Sequence, residues 1–351
     1  MSPAVPGEWR RAALDPPRAF GAPVAEGALR STPEDFEVHE ELPFQPEGRG
    51  AHWLLQVLKR DANTEWVARE LARVAGARIG DIGFAGLKDR HALVRQWFSV
   101  PQGASTAEDW HAVRREEFRV LEVHAHGRKL RRGALAANRF RIRVQRLRGS
   151  ARAIEERIAL ISGRGVPNYF GAQRFGNAGV NLVRVQDWTS SGRLSRARSE
   201  RSFTISAARS LLFNAVLGER VAAGTWDTLL PGEVVNLDGS GSIFAAGEPT
   251  PELEERRARL DIHPTGPMWG AGEPSSKAAV RALELEVGQR LQSVAHALGG
   301  VGLAQERRAL RLRVQDLRAE LTGAGMIVEF RLGPGAFATA VLRELVMTGE
   351  S

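Results

Sequence analysis

The sequence predicts an α+β protein, because segments with the two-residue period of strands and segments with the period of helices both occur. In residues 138–148, Phe140, Ile142 and Val144 alternate with arginines, which is typical of a half-buried strand. Residues 64–75 place apolar side chains on one helical face, and residues 276–298 form a longer helical segment that two glycines end.

The N-terminal third opens with a strand and a helix. Residues 1–26 are rich in proline, alanine and arginine without a sustained period, so we expect a poorly ordered leader. A strand is expected at 53–58, ahead of the helix at 64–75. Glycines interrupt residues 78–87, which favours tight turns or close backbone approach, and 96–100 resumes as a strand.

The remaining elements follow the strand at 138–148. Helices are expected at 151–161 and 206–221, separated by a hinge-like Arg164-Gly-Val-Pro167 segment. After the helix at 276–298 the pattern returns to strands, at 309–314 and 326–332, and ends in a helix at 337–346. No internal repeat of 20 to 50 residues is present.

Composition indicates a folded protein that is not a membrane protein. The chain has 351 residues, 43% of them hydrophobic and 26% charged, which is close to globular averages. No apolar run approaches the roughly 20 residues of a spanning helix, and no signal-peptide core is present, so a cytoplasmic protein is expected. The absence of cysteine excludes disulfides, thiolate nucleophiles and cysteine-ligated metals.

The charge balance indicates a polyanionic partner. The net charge is +8 and the pI is near 10.8, but only four of the 49 basic residues are lysine, so a GC-rich genome accounts for part of the arginine excess. Clustering is more informative, because residues 126–148 hold nine basic residues and no acid. This local charge favours nucleic acid, and the alternative is an ordinary solvated face.

Several enzyme classes are excluded by missing motifs. The sequence has no GxxxxGK[ST], no GxSxG and no GxGxxG after a strand. His124 and His126 would share one face of a strand, but no HExxH or acid cluster completes a metal site, so surface histidines are favoured and no metal is expected.

The triplet Lys88-Asp89-Arg90 is the most informative short motif. A carboxylate between two cations should stay ionised at neutral pH, which suits a nucleophile or a base. The alternative is an ordinary turn with neutralised charges.

The context of this triplet carries a resemblance. The stretch Gly83-Phe-Ala-Gly-Leu-Lys-Asp-Arg-His-Ala-Leu-Val-Arg-Gln-Trp97 resembles the catalytic GxKDxxAxxxQ motif of the TruD family of tRNA pseudouridine synthases. Further blocks resemble the family in the same order, so the resemblance spans nearly the whole folded chain. These blocks are 32–38, 126–130 with 138–140, 166–176, 206–214, 265–269 and 335–345.

The resemblance implies a fold and an activity. The fold would be a pseudouridine synthase-type catalytic domain with a mixed, mainly antiparallel sheet, built from 27–164 and 306–351, with an inserted α/β TRUD domain at 165–305. The activity would be isomerisation of a tRNA uridine, at position 13, to pseudouridine. No cofactor, membrane or obligatory protein partner is implied.

The resemblance also assigns site residues. Asp89 falls on the catalytic aspartate, and Arg343 is a candidate cation for it, with an ion pair to the adjacent Glu344 as the alternative. Phe140 would lie beside the target base, with the pocket further lined by Phe36, Asn138, Phe170 and Phe337. Plain core positions are the alternative for Phe36, Phe170 and Phe337.

RNA contacts are expected from basic residues around these motifs. The phenylalanine face of the strand at 138–148 would face the catalytic cleft, while the arginines on the opposite face would line its rim or contact tRNA elsewhere. The candidates are Lys88, Arg90, Arg128, Lys129, Arg139, Arg141 and Arg143.

Two functions compete with the synthase. A noncatalytic RNA-binding protein or RNA chaperone could use the same fold, although pure binding gives no reason for an acid such as Asp89 in a site for an anionic ligand. A DNA-binding protein would instead show duplex binding with a steep salt dependence.

Overall fold

The computed structural model describes residues 5–176 and 179–348. Within these residues the chain forms two compact units. The sheet unit comprises 24–158, 314–335 and 345–348. The helical unit comprises 5–23, 159–176, 179–313 and 336–344.

Strands and helices both occur throughout the described chain. In chain order the strands are β1 (Ala25–Leu29), β2 (Phe36–Glu41), β3 (His52–Arg60), β4 (Gly83–Phe84), β5 (Leu93–Pro101), β6 (Phe118–His126), β7 (Ala137–Gly149), β8 (Val166–Pro167), β9 (Glu233–Leu237), β10 (Ile243–Gly247), β11 (Ile262–Met268), β12 (Glu306–Ala309), β13 (Arg311–Leu312), β14 (Gln315–Thr322), β15 (Gly325–Leu332) and β16 (Val346–Thr348). The helices are α1 (Gly7–Leu14), α2 (Thr64–Ala75), α3 (Ala107–His111), α4 (Ala151–Arg164), α5 (Val180–Ser191), α6 (Arg198–Ala222), α7 (Pro251–Ala258), α8 (Ala278–Arg290), α9 (Gln292–Gly299) and α10 (Ala338–Leu345).

The sheet unit is built on one large mixed sheet. Its main path runs β14-β15-β7-β2-β5-β3-β6, with β1 joined at β7, β16 joined at β1 and β4 joined at β5. The pairs β2/β5 and β1/β16 are parallel, and the other pairs described for this sheet are antiparallel. The predicted α+β class with a mixed sheet is therefore confirmed.

Strand β7 lies at the centre of this sheet, between β2 and β15. Phe140, Ile142 and Val144 are buried, whereas the intervening arginines point to the other face. The predicted alternation is confirmed, because one face of β7 packs into the core and its neighbour strands supply the pairing on both sides. Register pairs Phe140 with Val38 of β2 and with Phe330 of β15.

Helix α2 covers part of the sheet and has the bounds that the sequence predicts. Val67 and Leu71 of α2 are fully buried in one cluster with Leu55, Val57 and Phe98 of the sheet. Gly76 ends the helix in the left-handed conformation at φ 60°, which glycine adopts without steric cost.

The helical unit differs from its prediction in several elements. Its four-stranded sheet, β10-β9-β11-β12, pairs antiparallel throughout, so the expected α/β character is wrong and the unit is α+β. The predicted helix at 276–298 is two helices, α8 and α9, separated at Leu291, which has the non-helical pair φ −101° and ψ 35°.

The N-terminal segment is part of the helical unit, contrary to the predicted poorly ordered leader. Residues 7–14 form α1, and Trp9 and Ala13 are 6% and 2% exposed in a core cluster that includes α6. Burial of apolar surface orders this segment although its sequence has no sustained period. Predicted domain limits also differ, because the units divide at 158/159 and 313/314 and most of α10 belongs to the helical unit.

Among residues 5–176 and 179–348, no helix is both long and apolar enough to cross a membrane.

Candidate active site

Asp89 lies in the loop between β4 and β5 and is paired with an arginine that the sequence analysis did not select. Its Oδ2 lies 2.8 Å from Nη2 of Arg30, which donates a hydrogen bond to it. The Asp89 side chain is 38% exposed and that of Arg30 is 32% exposed. The carboxylate is therefore both anchored and accessible.

Arg30 follows β1 and has an unusual backbone conformation. Its φ is +60°, a left-handed value that costs a non-glycine residue free energy and is often retained at functional sites. The guanidinium lies 4.1 Å from the centroid of the Phe36 ring, which is a cation–π contact. The sequence offered one signal for Arg30, which is that it lies two residues before the matched 32–38 block.

Three phenylalanine rings continue from this contact into the sheet. Phe36 and Phe140 pack edge to face at 6.1 Å, and Phe140 stacks on Phe330 at 5.2 Å. All three rings are buried. The predicted site residues Asp89, Phe36 and Phe140 thus lie along one chain of contacts, which also includes Arg30 and Phe330.

Lys59 is a second cation that the sequence analysis did not select. It is fully buried on β3, and its Nζ donates to the backbone oxygens of Asp89 and Ala62, both at 2.7 Å. No carboxylate of the described residues lies within 4.0 Å of this ammonium. Burial lowers the pKa of Lys59 to about 8, while the nearby Asp89 and Asp61 oppose that shift and Lys88 adds to it.

The segment before Asp89 is held by a buried polar network. Thr64, the first residue of α2, accepts a hydrogen bond from the Lys88 backbone nitrogen at 3.0 Å and donates one to Gln96 Oε1 at 3.0 Å. Gln96 Nε2 donates in turn to the Gly86 carbonyl at 2.7 Å. The N-terminus of α2 and strand β5 therefore fix the loop that carries Asp89.

Lys88 belongs to this buried support and is not a surface cation. Its Nζ lies 2.6 Å from Oε1 of Glu40, and the two side chains are 8% and 0% exposed. The expected RNA contact by Lys88 is wrong, because the ammonium is inside the protein and already paired. Arg90, by contrast, is 55% exposed with Asp61 at 3.8 Å.

Asn138 occupies β7 beside this region with an unused acceptor. It is 9% exposed, and no hydrogen-bond donor in residues 5–176 and 179–348 reaches its Oδ1. A buried unpaired oxygen is costly, so it marks a position where a ligand would supply the missing donor.

The arginines on the outer face of β7 are neutralised by neighbouring strands. Arg139 pairs with Glu41 at 3.3 Å, and Arg143 has Asp35 at 3.9 Å. Arg141 lies between Glu37 and Glu329, at 3.2 and 3.5 Å. The wholly cationic face expected from one strand is wrong for the sheet, because β2, β15 and the residue just before β2 place acids beside these three arginines.

Phe170 and Phe337 meet in the helical unit. Their rings pack at 6.1 Å, and Phe170 also packs edge to face on Phe213 at 5.5 Å. The guanidinium of Arg308 lies 4.3 Å from the centroid of the Phe170 ring. Phe170 is 7% exposed and belongs to the core cluster, against which the half-buried Phe337 packs.

The partners of Arg343 lie within the helical unit. It donates to the backbone oxygens of Pro16 and Pro17, and its Nη1 lies 3.2 Å from Glu344 Oε1. The ion pair with Glu344, stated as the alternative, is therefore the observed one.

The histidines do not form a metal site. His124 has Glu122 at 3.1 Å, and His126 stacks on Phe44 at 4.9 Å. Across the part of the chain that the structure describes, no group of three or more histidine, aspartate or glutamate side chains could hold a metal ion.

A family model and curated relatives match nearly the whole chain. The family model described as tRNA pseudouridine synthase D (TruD) matches residues 19–197 and 196–345. The chain is 47% identical to a tRNA pseudouridine synthase D of Nitrosococcus oceani, over 95% of this chain and 94% of the relative. Identity to proteins of the same description is 45% in Xanthomonas euvesicatoria pv. vesicatoria and 43% in Pseudomonas aeruginosa, over at least 94% of each chain.

A solved structure has the same fold. The crystal structure of a candidate tRNA pseudouridine synthase D (TruD) from Methanosarcina mazei superposes with a TM-score of 0.71. It covers 97% of this chain and 98% of its own, at 20% identity.

The fold, the site and these similarities define the class of protein, which is a pseudouridine synthase and hence an isomerase. The chain belongs to the tRNA pseudouridine synthase D (TruD) family. The family and the enzyme class expected from the sequence motifs are confirmed.

Proposed function

We propose that this enzyme converts the uridine at position 13 of tRNA to pseudouridine, with Asp89 as its catalytic carboxylate. The observation that carries the proposal is the accessible Asp89 carboxylate, held at 2.8 Å by Arg30 beside the Phe36 and Phe140 rings. The position in tRNA rests on the family resemblance.

The reaction needs a carboxylate and no cofactor. The bond from uracil N1 to ribose C1′ breaks, with Asp89 either attacking or deprotonating the ribose, and the base turns within the site. A bond then forms from C5 to C1′, the C5 proton leaves and N1 gains a proton, so substrate and product are isomers. Arg30 holds the Asp89 carboxylate in position through a charge-assisted hydrogen bond of 2.8 Å.

The remaining groups fit a flipped uridine. Extracting a base from stacked RNA costs a few kcal/mol, and an aromatic surface that receives the base offsets part of that cost. Phe140 is 6% exposed and stacked on Phe330, so it would contact the base with the small part of its ring that is open, and the unpaired Asn138 Oδ1 would accept a hydrogen bond from the uracil imide N3–H. For Phe170 and Phe337, packing in the helical unit supports the core interpretation more than direct base contact.

Tritium release from tRNA transcripts labelled at uridine C5 tests the proposal. Asp89→Asn keeps the size and polarity of the side chain but removes its charge, and we expect turnover to fall by about 10³-fold or more while tRNA binding persists. Mapping the product of the wild-type reaction tests position 13. Asp89→Asn with full turnover would refute the catalytic assignment, and tight binding without release by the wild type would favour the RNA chaperone.

A further inference from the structure

The loop between β6 and β7 presents a concentrated positive charge. We call residues 127–136 the basic loop, because Arg128, Lys129, Arg131 and Arg132 lie within five positions and all four are exposed. Leu130, between them, is 4% exposed and packs with Leu54 and Trp97. A buried apolar anchor therefore holds four cations at the surface.

The four cations of this loop take part in no ion pair within the described part of the chain. None of its four cations has a carboxylate within 4.0 Å among the residues that the structure describes, although acids accompany each of the three β7 arginines discussed above. Arg132 lies 3.7 Å from the Phe84 ring centroid, and Lys129 donates to the Gly80 carbonyl. Cations without an ion-pair partner remain available to bind an anion from outside the protein.

The basic loop is fixed against the segment that leads to Asp89. The Gly133 nitrogen donates to the Ala85 carbonyl at 2.8 Å, four residues before Asp89, and the Leu130 nitrogen donates to Ser99 Oγ at 2.8 Å. A Cβ at Gly83 would lie 2.3 Å from the Leu130 carbonyl oxygen, so only glycine permits this approach. The loop and the Asp89 segment are therefore one packed assembly within the sheet unit.

Two open grooves flank the loop. One, of about 700 Å³, is lined by Arg128, Lys129 and Arg131 together with Phe44 and His126. The other, of about 630 Å³, is lined by Lys129, Arg131 and Arg132 together with Phe84. Cations between two grooves beside a catalytic segment fit a nucleic acid backbone, whose phosphates repeat along a strand.

We propose that the basic loop binds backbone phosphates of the tRNA and that Arg139, Arg141 and Arg143 of β7, which have acids beside them, do not. This inference rests on the proposed function, because tRNA is the polyanion that the enzyme must hold while Asp89 acts. Phosphate contacts fix the register of the RNA on the protein without reading its sequence.

Salt dependence of tRNA binding is the decisive measurement. Each phosphate contact adds about 0.7 to 0.9 to the magnitude of the slope of log K against log salt. Arg128→Gln/Arg131→Gln is therefore expected to reduce that slope by about 1 to 2 and to weaken the Kd about 10-fold at 0.15 M salt. At saturating tRNA, kcat should stay within about twofold of the wild type.

Two further double variants serve as controls for Arg128→Gln/Arg131→Gln. Arg114→Gln/Arg119→Gln removes the same charge from exposed positions near the start of β6, where Arg114 forms a bridge with Arg119. Arg119 lies about 23 Å from the C-terminal end of β6 at 3.3 Å per residue, so this variant should leave the slope unchanged. Arg128→Lys/Arg131→Lys should restore most of the slope. Circular dichroism confirms that each variant is folded.

The outcomes separate this inference from the proposed function. A wild-type slope in Arg128→Gln/Arg131→Gln, or an equal loss in Arg114→Gln/Arg119→Gln, would overturn the role of the basic loop. So would a slope that falls only when Arg139 and Arg141 are replaced. Failure of the proposed function would appear elsewhere, as a wild-type enzyme that binds tRNA but releases no tritium.

Discussion

Each unit contains an arginine–carboxylate pair, and the two pairs have similar residues but different surroundings. Arg30 contacts Asp89 and lies over Phe36, and Arg343 contacts Glu344 and lies 5.2 Å from the Tyr169 ring centroid. Glu344 is fully buried and accepts hydrogen bonds from the backbone nitrogens of Ala19 and Phe20. Asp89 is 38% exposed.

The two pairs differ in packing, since the pair proposed to act in catalysis is partly exposed and the other has a fully buried carboxylate. The Arg343 pair joins α10 to the N-terminal segment, and the donors and acceptors of that pair are used within the helical unit. The Arg30 pair keeps part of its carboxylate open to a ligand, and its arginine has a left-handed backbone. Residue type and sequence neighbours do not distinguish the two, but exposure and the remaining hydrogen-bond capacity do.

The largest expected effect on activity is that of replacing Arg30. Arg30→Met should lower kcat/KM about 100-fold, since a hydrogen bond to a charged group contributes roughly 1.5–3 kcal/mol. The free energy of unfolding should change by less than about 1 kcal/mol, because both side chains are partly exposed. Arg30→Lys retains the charge and should recover part of the loss. Tritium release and urea unfolding measure the two quantities.

The opposite outcome would show that the Arg30 pair only stabilises the fold. If Arg30→Met unfolds the protein but leaves the turnover of the folded fraction intact, the pair with Asp89 is structural.

The structural pair should give the reverse result. Glu344→Gln leaves Arg343 half-buried without a carboxylate, so the free energy of unfolding should fall by about 3 kcal/mol. Turnover per folded molecule should be unchanged. Glu306→Gln is the matched control, because Glu306 is 67% exposed in its pair with Arg209 and should cost less than 1 kcal/mol. Equal losses in the two variants, measured by urea unfolding, would remove the distinction between buried and exposed pairs.

A smaller effect is expected at Lys59, the second cation near Asp89. Its pKa of about 8 lies below the ordinary lysine value near 10.4, so between these pH values the unfolded chain binds more protons than the folded one. The free energy of unfolding should therefore rise with pH over this window, relative to Lys59→Met. Over the same range kcat should fall several-fold, as the positive charge beside the Asp89 loop is lost.

The Lys59→Met variant isolates this titration. It should have a lower kcat and no inflection near pH 8, because the Asp89 and Ala62 carbonyls lose a cationic donor at every pH. Profiles of kcat and of unfolding between pH 6.5 and 9.5 measure both effects. An unaltered inflection in Lys59→Met would assign the titration to another group.

Much of the sheet unit could be predicted from its sequence. Helix α2 has the predicted bounds, and β7 has the predicted buried and exposed faces, because local periodicity reports directly on one half-buried surface. The motifs around Asp89 pointed to the family because each of them is a contiguous stretch of sequence. Arg30 and Lys59 were missed because they reach Asp89 from β1 and β3, 59 and 30 residues away along the chain.

The sequence by itself determined the α+β class, the family and the position of Asp89. Tertiary structure alone decided which cation accompanies Asp89, which arginines are neutralised and whether the N-terminal segment is ordered. The physical reason is that charge compensation and burial depend on side chains from other strands and helices, such as Glu37 and Glu329 on either side of Arg141. Local periodicity fixes the face on which a residue lies, whereas its partners are set by the pairing of distant strands.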